Sequence, residues 1–464
     1  MEQNIFPMSE RYQEYLIDES KYSGSAESIS FPESEEMVLQ ILQEMKKAEI
    51  PVTIQGGKTG ITGGSVPQGG HILNLSHMNQ VKEHQVCADG TGRIAVEPGV
   101  NLIELEKEIT VRFRKEHLFW PVDPTETSAT VGGIAAAGAQ GITRLLYGDS
   151  RKYIEKIRAI DGNGRRLELT GEEKEDFLGK EGITGIITEL TLILLPCPEE
   201  RWGILFFFEE EAGALQFIEG LKGASRESES GNAKIASVEY LDRQVLTLIE
   251  ERKHTMNKIR ELPDVEEFVS GAVYVEIHGA EDGIEEIAEY LMEQAAENGS
   301  DPDTAWAVSG DTEIQKLHAF RHAAAESCNL FIEEAHRKDD RITKLGTDMY
   351  AEGQELEELV SGYRRQMEEK NIKGCIFGHA LENHLHINLL PENYEEYEAG
   401  MELFRSWAEE TVRKQGKPFG EHGVGKLKSR ILAGCQEEEY REQGEKLKAV
   451  YDPERLINRG NRYM

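Results

Sequence analysis

Five of the ten residues in QGGKTGITGG (55–64) are glycine, and they follow directly on the apolar run IPVTI. A strand that runs into such a turn can bring backbone N–H groups close to an anionic group, because no Cβ stands in the way. Gly57-Lys58-Thr59 has the ending of a nucleotide-triphosphate loop. That loop also needs a glycine five positions before Gly57, and Val52 stands there, so this is not a Walker loop. Residue pattern alone leaves a tight strand-to-strand turn or a diphosphate cradle of another class. Further glycine-rich segments at 132–141 and 182–185 make the turn one of a set, and they point to a fold of strands ending in open loops.

The rest of the chain has the matching rhythm. SEEMVLQILQEMKKAEI predicts a helix with Ser34 as its cap. VTIQ, HILNL, RIAVEPG, KIRAIDGNG and IITELTLILL predict strands. Pro196 and Pro198 mark a boundary. Beyond it, two strand–helix–strand units (WGILFFF to AKIASVEYL, GAVYVEIHG to AWAVSG) predict an α+β sheet covered by helices on one face. Long helices follow in EIQKLHAFRHAAAESCNLFIEEAHR, LEELVSGYRRQMEEK and YEEYEAGMELFRSWAEETVRKQ. The expected divisions are 1–198, 199–415 and 416–464, the last returning to the first domain.

Charge narrows the function. The 464 residues carry 86 Asp plus Glu against 52 Lys plus Arg, a formal net charge of −34. Such a field repels nucleic acid and anionic membrane, and an anionic substrate would need a local cation. The five cysteines (Cys87, Cys197, Cys328, Cys375, Cys435) are scattered and contain no C-x-x-C. This argues against a disulfide framework and a cysteine-held iron–sulfur cluster. With no signal-peptide pattern at the N-terminus and no 18-residue apolar run, a cytoplasmic protein without a transmembrane segment is expected.

Two constellations carry chemistry. In FWPVDPTETSATVGGIAAAGAQGITRLLYGDSRKYI (119–154), small residues crowd Ala129 to Gly141, so backbone can pass close to something bulky and flat or begin a tightly packed helix. In FGHALENHLHINLL (377–390) and FGEHGVGK (419–426), three histidines fall within eight residues and a Glu-His pair sits between glycines. His379 and His386 are seven apart, which on one straight strand puts them on opposite faces. A turn at ALEN would let both point at one centre. His384, His386 and Asn388 share a face of the second strand.

In this order, QGGKTGITGGSVP, VEPGV, WPVDPTETSATVGG, YG-x-SRKY and GITGIITELTL resemble the flavoprotein oxidases and dehydrogenases of the vanillyl-alcohol oxidase superfamily (PCMH-type). The nearest branch resembles the glycolate oxidase flavin subunit and the D-lactate and D-2-hydroxyglutarate dehydrogenases. The resemblance spans essentially the whole chain. It implies a PCMH-type FAD-binding domain with a second α+β cap domain, an antiparallel sheet covered by helices. It further implies oxidation of a D-2-hydroxy acid to the 2-keto acid by hydride transfer to FAD.

The resemblance also assigns residues. Gln55, Gly56, Gly57, Lys58, Thr59, Gly60, Ile61, Thr62 and Gly63 would wrap the FAD diphosphate, with Lys58 adding a cation. Pro124, Thr125, Glu126, Thr127, Thr130, Gly132 and Gly133 would lie along diphosphate and flavin, with Gly138 and Gly141 close by. Glu181, Gly182, Gly185, Ile186 and Ile187 would hold the adenosine end, and Asn458 in LINRGN would return to the flavin. Members with covalent flavin place a His in the first loop; 55–64 has none, so FAD is expected to be non-covalent. Where relatives often carry Asn, this chain has Gly138.

His379, His386 and Glu421 match positions that bind a divalent metal in the metal-dependent members. Two nitrogens, a carboxylate and an open position suit Zn²⁺, Mn²⁺, Fe²⁺ or Co²⁺. His422 matches the base, Arg321 the substrate-carboxylate anchor and Asn388 the family pattern. Lys344 in ITKLGTDMY is a second cation. His384 replaces a common Asn, as a fourth ligand or an orienting donor. The expected partners are a small anionic 2-hydroxy acid and a separate electron acceptor, an electron-transferring flavoprotein, an iron–sulfur subunit or a quinone. A non-redox flavoenzyme resembling alkylglycerone-phosphate synthase is the alternative.

Overall fold

The computed structural model describes residues 5–224, 226–351, 353–435 and 437–463. The chain forms two compact units. The first comprises Met1–Gly141, Asp149–Cys197 and Glu421–Met464; the second comprises Ile142–Gly148 and Pro198–Gly420.

Two sheets build the first unit. One runs β1 (Phe6–Pro7), β2 (Ser28–Ser30), β4 (His71–Asn74), β3 (Val52–Gln55). The pairs β2/β4 and β3/β4 are parallel. The parallel β3/β4 pair leaves its connection free to swing out as the glycine loop, since parallel neighbours cannot be closed by a two-residue hairpin. The second sheet is antiparallel, ordered β5 (Val81–Val86), β6 (Gly92–Val96), β10 (Gly185–Pro196), β8 (Ile154–Asp161), β9 (Arg166–Thr170), with β7 (Leu118–Phe119) also on β10.

Helix α1 (Glu35–Lys47) begins as its sequence demands. Ser34 accepts from the Met37 amide, Glu35 and Glu36 occupy the first turn, and Val38, Ile41, Leu42 and Met45 form the buried stripe. Helices α2 (Leu102–Arg112) and α3 (Val131–Ala137) follow in the same unit. The short helix α4 (Arg144–Tyr147) lies in the seven residues that belong to the second unit.

An antiparallel sheet forms the second unit, ordered β14 (Trp306–Ser309), β11 (Glu200–Phe208), β13 (Gly271–Gly279), β12 (Ala233–Asp242), β17 (Gly374–His379), β18 (His384–Leu389), β15 (Leu345–Gly346). β16 (Met349–Tyr350) also pairs with β18. Helices cover both faces, not one. Phe217 of α5 (Glu211–Gly223) packs on Phe206, while Phe207 meets Trp306, which in turn meets Phe320 of α8 (Asp311–Lys338). The cause is in β11 itself: ILFFF is apolar at every position, which is the pattern of a strand buried on both sides. The remaining helices of this unit are α6 (Arg243–Arg252), α7 (Glu281–Glu297), α9 (Leu356–Glu369) and α10 (Tyr394–Arg413). The chain then returns to the first unit in α11 (Gly425–Ile431) and α12 (Glu437–Tyr451). No helix among the described residues is long and apolar enough to cross a membrane.

Candidate functional site

In the first unit the glycine segments converge. Gln55 ends β3 and anchors its loop: Nε2 donates to the carbonyls of Tyr15 and Ser65, both at 2.8 Å. A Cβ on Gly56 would collide with Oγ1 of Thr130, so only glycine lets the first loop lie against the second. Thr130 caps α3, its Oγ1 accepting from the Gly133 amide at 3.3 Å. Gly138 ends α3 in the left-handed conformation at φ 68°. The third segment joins directly, the Glu181 amide donating to the Ala136 carbonyl at 2.7 Å.

Asn458 binds these parts together. Its Oδ1 accepts from the Ile54 amide at 2.8 Å and its Nδ2 donates to the Glu181 carbonyl at 2.9 Å. Gly182 makes room for that amide: its φ is +66°, and a Cβ there would lie 2.6 Å from Asn458 Nδ2. The Glu181 carboxylate turns to its own unit, taking the amides of Val424 (2.9 Å) and Gly425 (2.6 Å). Thr62 Oγ1 donates to the His422 carbonyl at 3.4 Å, and His422 Nε2 lies 3.4 Å from the Glu421 carboxylate.

A diphosphate needs N–H donors. Among the described residues, no protein acceptor takes the amides of Gly57, Lys58, Thr59, Gly60 or Ile61. Five successive donors in one partly exposed turn fit such a group. Lys58 is turned away from the role expected for it. Its Nζ donates to the Glu14 carbonyl at 2.9 Å and lies 4.1 Å from the centroid of the Tyr15 ring, because the N-terminal segment passes beside the loop and supplies an acceptor and an aromatic face.

The polar face of the second unit is built on the β17–β18 hairpin. ALEN makes the turn, Ala380–Glu382 as a short 3₁₀ segment and Asn383 left-handed at φ 51°. His379 then pairs with His384, and Phe377 with His386. The His379 and His386 ring centroids stand 5.7 Å apart, those of His384 and His386 4.9 Å. Asn388 lies opposite Gly346 on β15. Buried Lys344 donates to Asn329 Oδ1.

Four residues that sequence reasoning missed organise this face. Glu239 of β12, 1% exposed, accepts from Arg321 Nε at 2.7 Å and contacts His379 Nδ1 at 2.5 Å. Burial alone would raise the Glu239 carboxyl; the charges of His379 and Arg321 and their hydrogen bonds overcome this and hold it at about 2. Asp348 lies 2.8 Å from His384 Nε2, and Arg144 lies 3.4 Å from His384 Nδ1. Tyr350 stacks on the same ring at 3.8 Å. Both nitrogens of His384 thus have a polar neighbour. The metal-competent atoms of Asp348, His384 and His386 lie within 4.8 Å of one another, a set that contains His386 of the expected ligands but not His379. The signal for Asp348 was present in LGTD, next to Lys344. Glu239 in ASVEYL gave none, since a Glu in an alternating strand reads as an outward position.

Comparison with known proteins gives the family. A family model described as FAD binding domain matches residues 26–170, and one described as FAD linked oxidases, C-terminal domain, matches residues 212–461. The chain is 25% identical over 458 residues to glycolate oxidase subunit GlcD of Bacillus subtilis (strain 168), covering 96% of this chain and 90% of that protein. It is 27% identical over 451 residues to the mitochondrial D-2-hydroxyglutarate dehydrogenase of Rattus norvegicus, covering 94% and 78%. The crystal structure of p-cresol methylhydroxylase with substrate bound shares the fold, with a TM-score of 0.73 at 14% identity, covering 99% of this chain and 94% of that one. The two glycine loops at 55–64 and 124–133 fall inside the first matched segment and the histidine hairpin inside the second, and the chain belongs to the FAD-linked oxidases.

Proposed function

We propose that the protein oxidises a D-2-hydroxy acid of the lactate, glycolate or 2-hydroxyglutarate class to the 2-keto acid, using non-covalent FAD and assisted by one divalent metal. One observation carries the substrate class. In a chain of net charge −34, Arg321 is buried with its Nε on Glu239, which also meets His379, and a cation held on the histidine-bearing sheet suits a small anionic substrate.

When bound, FAD would take the hydride from C2, and a metal on the imidazoles would lower the pKa of the 2-hydroxyl. The chain's own residues do the rest. Arg321, with Nε committed to Glu239, has its two terminal nitrogens for a carboxylate, and a bidentate pair fixes orientation as well as binding. His379 and His386 are the proposed metal ligands with Glu421, and Asn388 and Lys344 are buried polar neighbours for the substrate. His422 accepts the hydroxyl proton. The electrons pass to an acceptor outside this chain.

The test is to purify the protein, release its flavin by acid precipitation, and titrate holoenzyme anaerobically with D- and L-2-hydroxy acids. Flavin in the supernatant and bleaching by a D-acid are expected. A yellow pellet would overturn the non-covalent assignment. Flavin that no hydroxy acid bleaches would overturn the activity and favour a non-redox reaction.

A further inference from the structure

Two buried carboxylates on β12 behave differently. Asp242, fully buried, serves the backbone: it accepts from the Val245 amide at 2.8 Å and the Ile376 amide at 2.9 Å, and pairs with Arg364 at 3.2 Å. That is the pattern of a residue that caps a helix and pins a strand. Glu239, three residues earlier, takes no backbone amide among the described residues. Its two oxygens go separately to His379 and Arg321, the side chains to which the reaction assigns metal and substrate carboxylate.

We propose that Glu239 is a positioning residue that sets the metal-binding nitrogen of His379 and the substrate-binding edge of Arg321 at once. The proposal rests on the functional reading above. The geometry gives both halves. An ionised carboxylate on His379 Nδ1 requires the proton there, which leaves the lone pair on Nε2, the nitrogen then able to ligate. The other oxygen takes Arg321 Nε, and the Phe377 ring lies 5.0 Å from the guanidinium carbon. Those two contacts restrain the guanidinium, and Glu239 takes only its Nε. β12 pairs with β17 so that Glu239 stands opposite His379, and α8 carries Arg321 over the same spot. One carboxylate therefore meets two elements far apart in sequence.

Glu239→Gln separates this role from a packing role. An amide has one accepting oxygen, so it cannot serve both donors, and its NH₂ must face one of them. On FAD-loaded protein, apparent Mn²⁺ affinity, read by competition with a chelating dye, should weaken about 10–100-fold, the usual cost of losing the partner behind a metal-bound imidazole. KM for the hydroxy acid should rise by a larger factor than kcat falls, since Arg321 loses its orientation. Flavin content should stay at the wild-type level. Glu239→Asp keeps the charge but ends one methylene short, so it should recover part of both losses. If Glu239→Gln does not fold, Glu239→Asp carries the test on the same two readouts.

Wild-type Mn²⁺ affinity and wild-type KM in folded variant, even with a lowered melting temperature, would overturn the proposal and leave Glu239 a packing residue. Wild-type protein that binds no Mn²⁺ and is bleached by no hydroxy acid would overturn the functional reading itself, and the positioning role with it.

Discussion

The Nε2 atom of His384 lies 2.8 Å from Asp348 Oδ1, and both side chains are wholly removed from solvent. Asp348 spends its other oxygen on the Gly420 amide at 3.0 Å. Asp348→Asn cannot satisfy both donors, because its Nδ2 is itself a donor. Leaving one buried donor without an acceptor costs about 1–3 kcal/mol. The variant should lose that much stability in urea unfolding, with flavin content unchanged. A variant as stable as wild type would show that the pair is not held as described.

Asn458 gives a prediction for the first unit. It is the tie between β3, which leads into the first glycine loop, and Glu181 of the third segment. Asn458→Ala removes two hydrogen bonds of about 1 kcal/mol each and releases a left-handed residue at φ 45°. FAD affinity should fall by roughly 10- to 30-fold, at about 1.4 kcal/mol per decade, because the loops no longer arrive pre-arranged. Fluorescence titration of the apoprotein with FAD measures this. Unchanged affinity would place Asn458 outside the cofactor's support.

Much of this was legible in the sequence, and the exceptions share a cause. Helix α1 and the strand Gly185–Pro196 were readable because cap and periodicity agree with burial. The turn at ALEN was readable because two histidines at odd spacing needed one. Glu239 was not, because its partner Arg321 lies 82 residues away, and only the packing of a helix on the sheet reveals that the Glu points inward. Arg144 was hidden for a related reason. Seven residues, Ile142–Gly148, leave the first unit for the second with no shift in composition to announce it. Lys58 reads as a phosphate cation until Glu14 and Tyr15 are seen to claim it.

His71 predicts an acid sensitivity. Its ring is fully buried on β4, with Ser28 Oγ 2.8 Å from Nδ1 and Ser30 Oγ 2.7 Å from Nε2. Burial pulls its pKa down from 6.5 to about 4. The folded protein thus holds the ring neutral where the unfolded chain protonates it. The resulting stability is complete above pH 6.5 and is lost as pH falls toward 4, about 3 kcal/mol in all. In His71→Gln this loss is absent, so the stability gap between wild type and variant should narrow from pH 7 to pH 4.5. Comparing the two proteins cancels the other acid-sensitive groups. A gap that stays constant across that range in urea unfolding would refute the assignment.

His422 and Arg321 should fail in different ways. Arg321→Ala deletes a charged contact to the substrate carboxylate, worth roughly 1.5–3 kcal/mol, or about 10- to 150-fold in kcat/KM. Part of that loss lies in ground-state binding, so high substrate should recover some of it. The variant also strands Glu239 without its Nε donor, so its melting temperature should be read beside its kinetics. His422→Ala instead removes the group that accepts the hydroxyl proton, worth roughly 10²–10⁴-fold. Saturating substrate should not rescue it, because that interaction acts mainly in the transition state. His422 is partly exposed, and its Nε2 faces Glu421 at 3.4 Å, so its removal should cost little stability. Stopped-flow flavin reduction with 2-deuterated substrate separates the cases. Arg321→Ala should approach its limiting rate only at high substrate, and His422→Ala should show a low limiting rate at every concentration. If His422→Ala reduces its flavin at the wild-type limiting rate, the proton goes elsewhere and the base assignment is wrong.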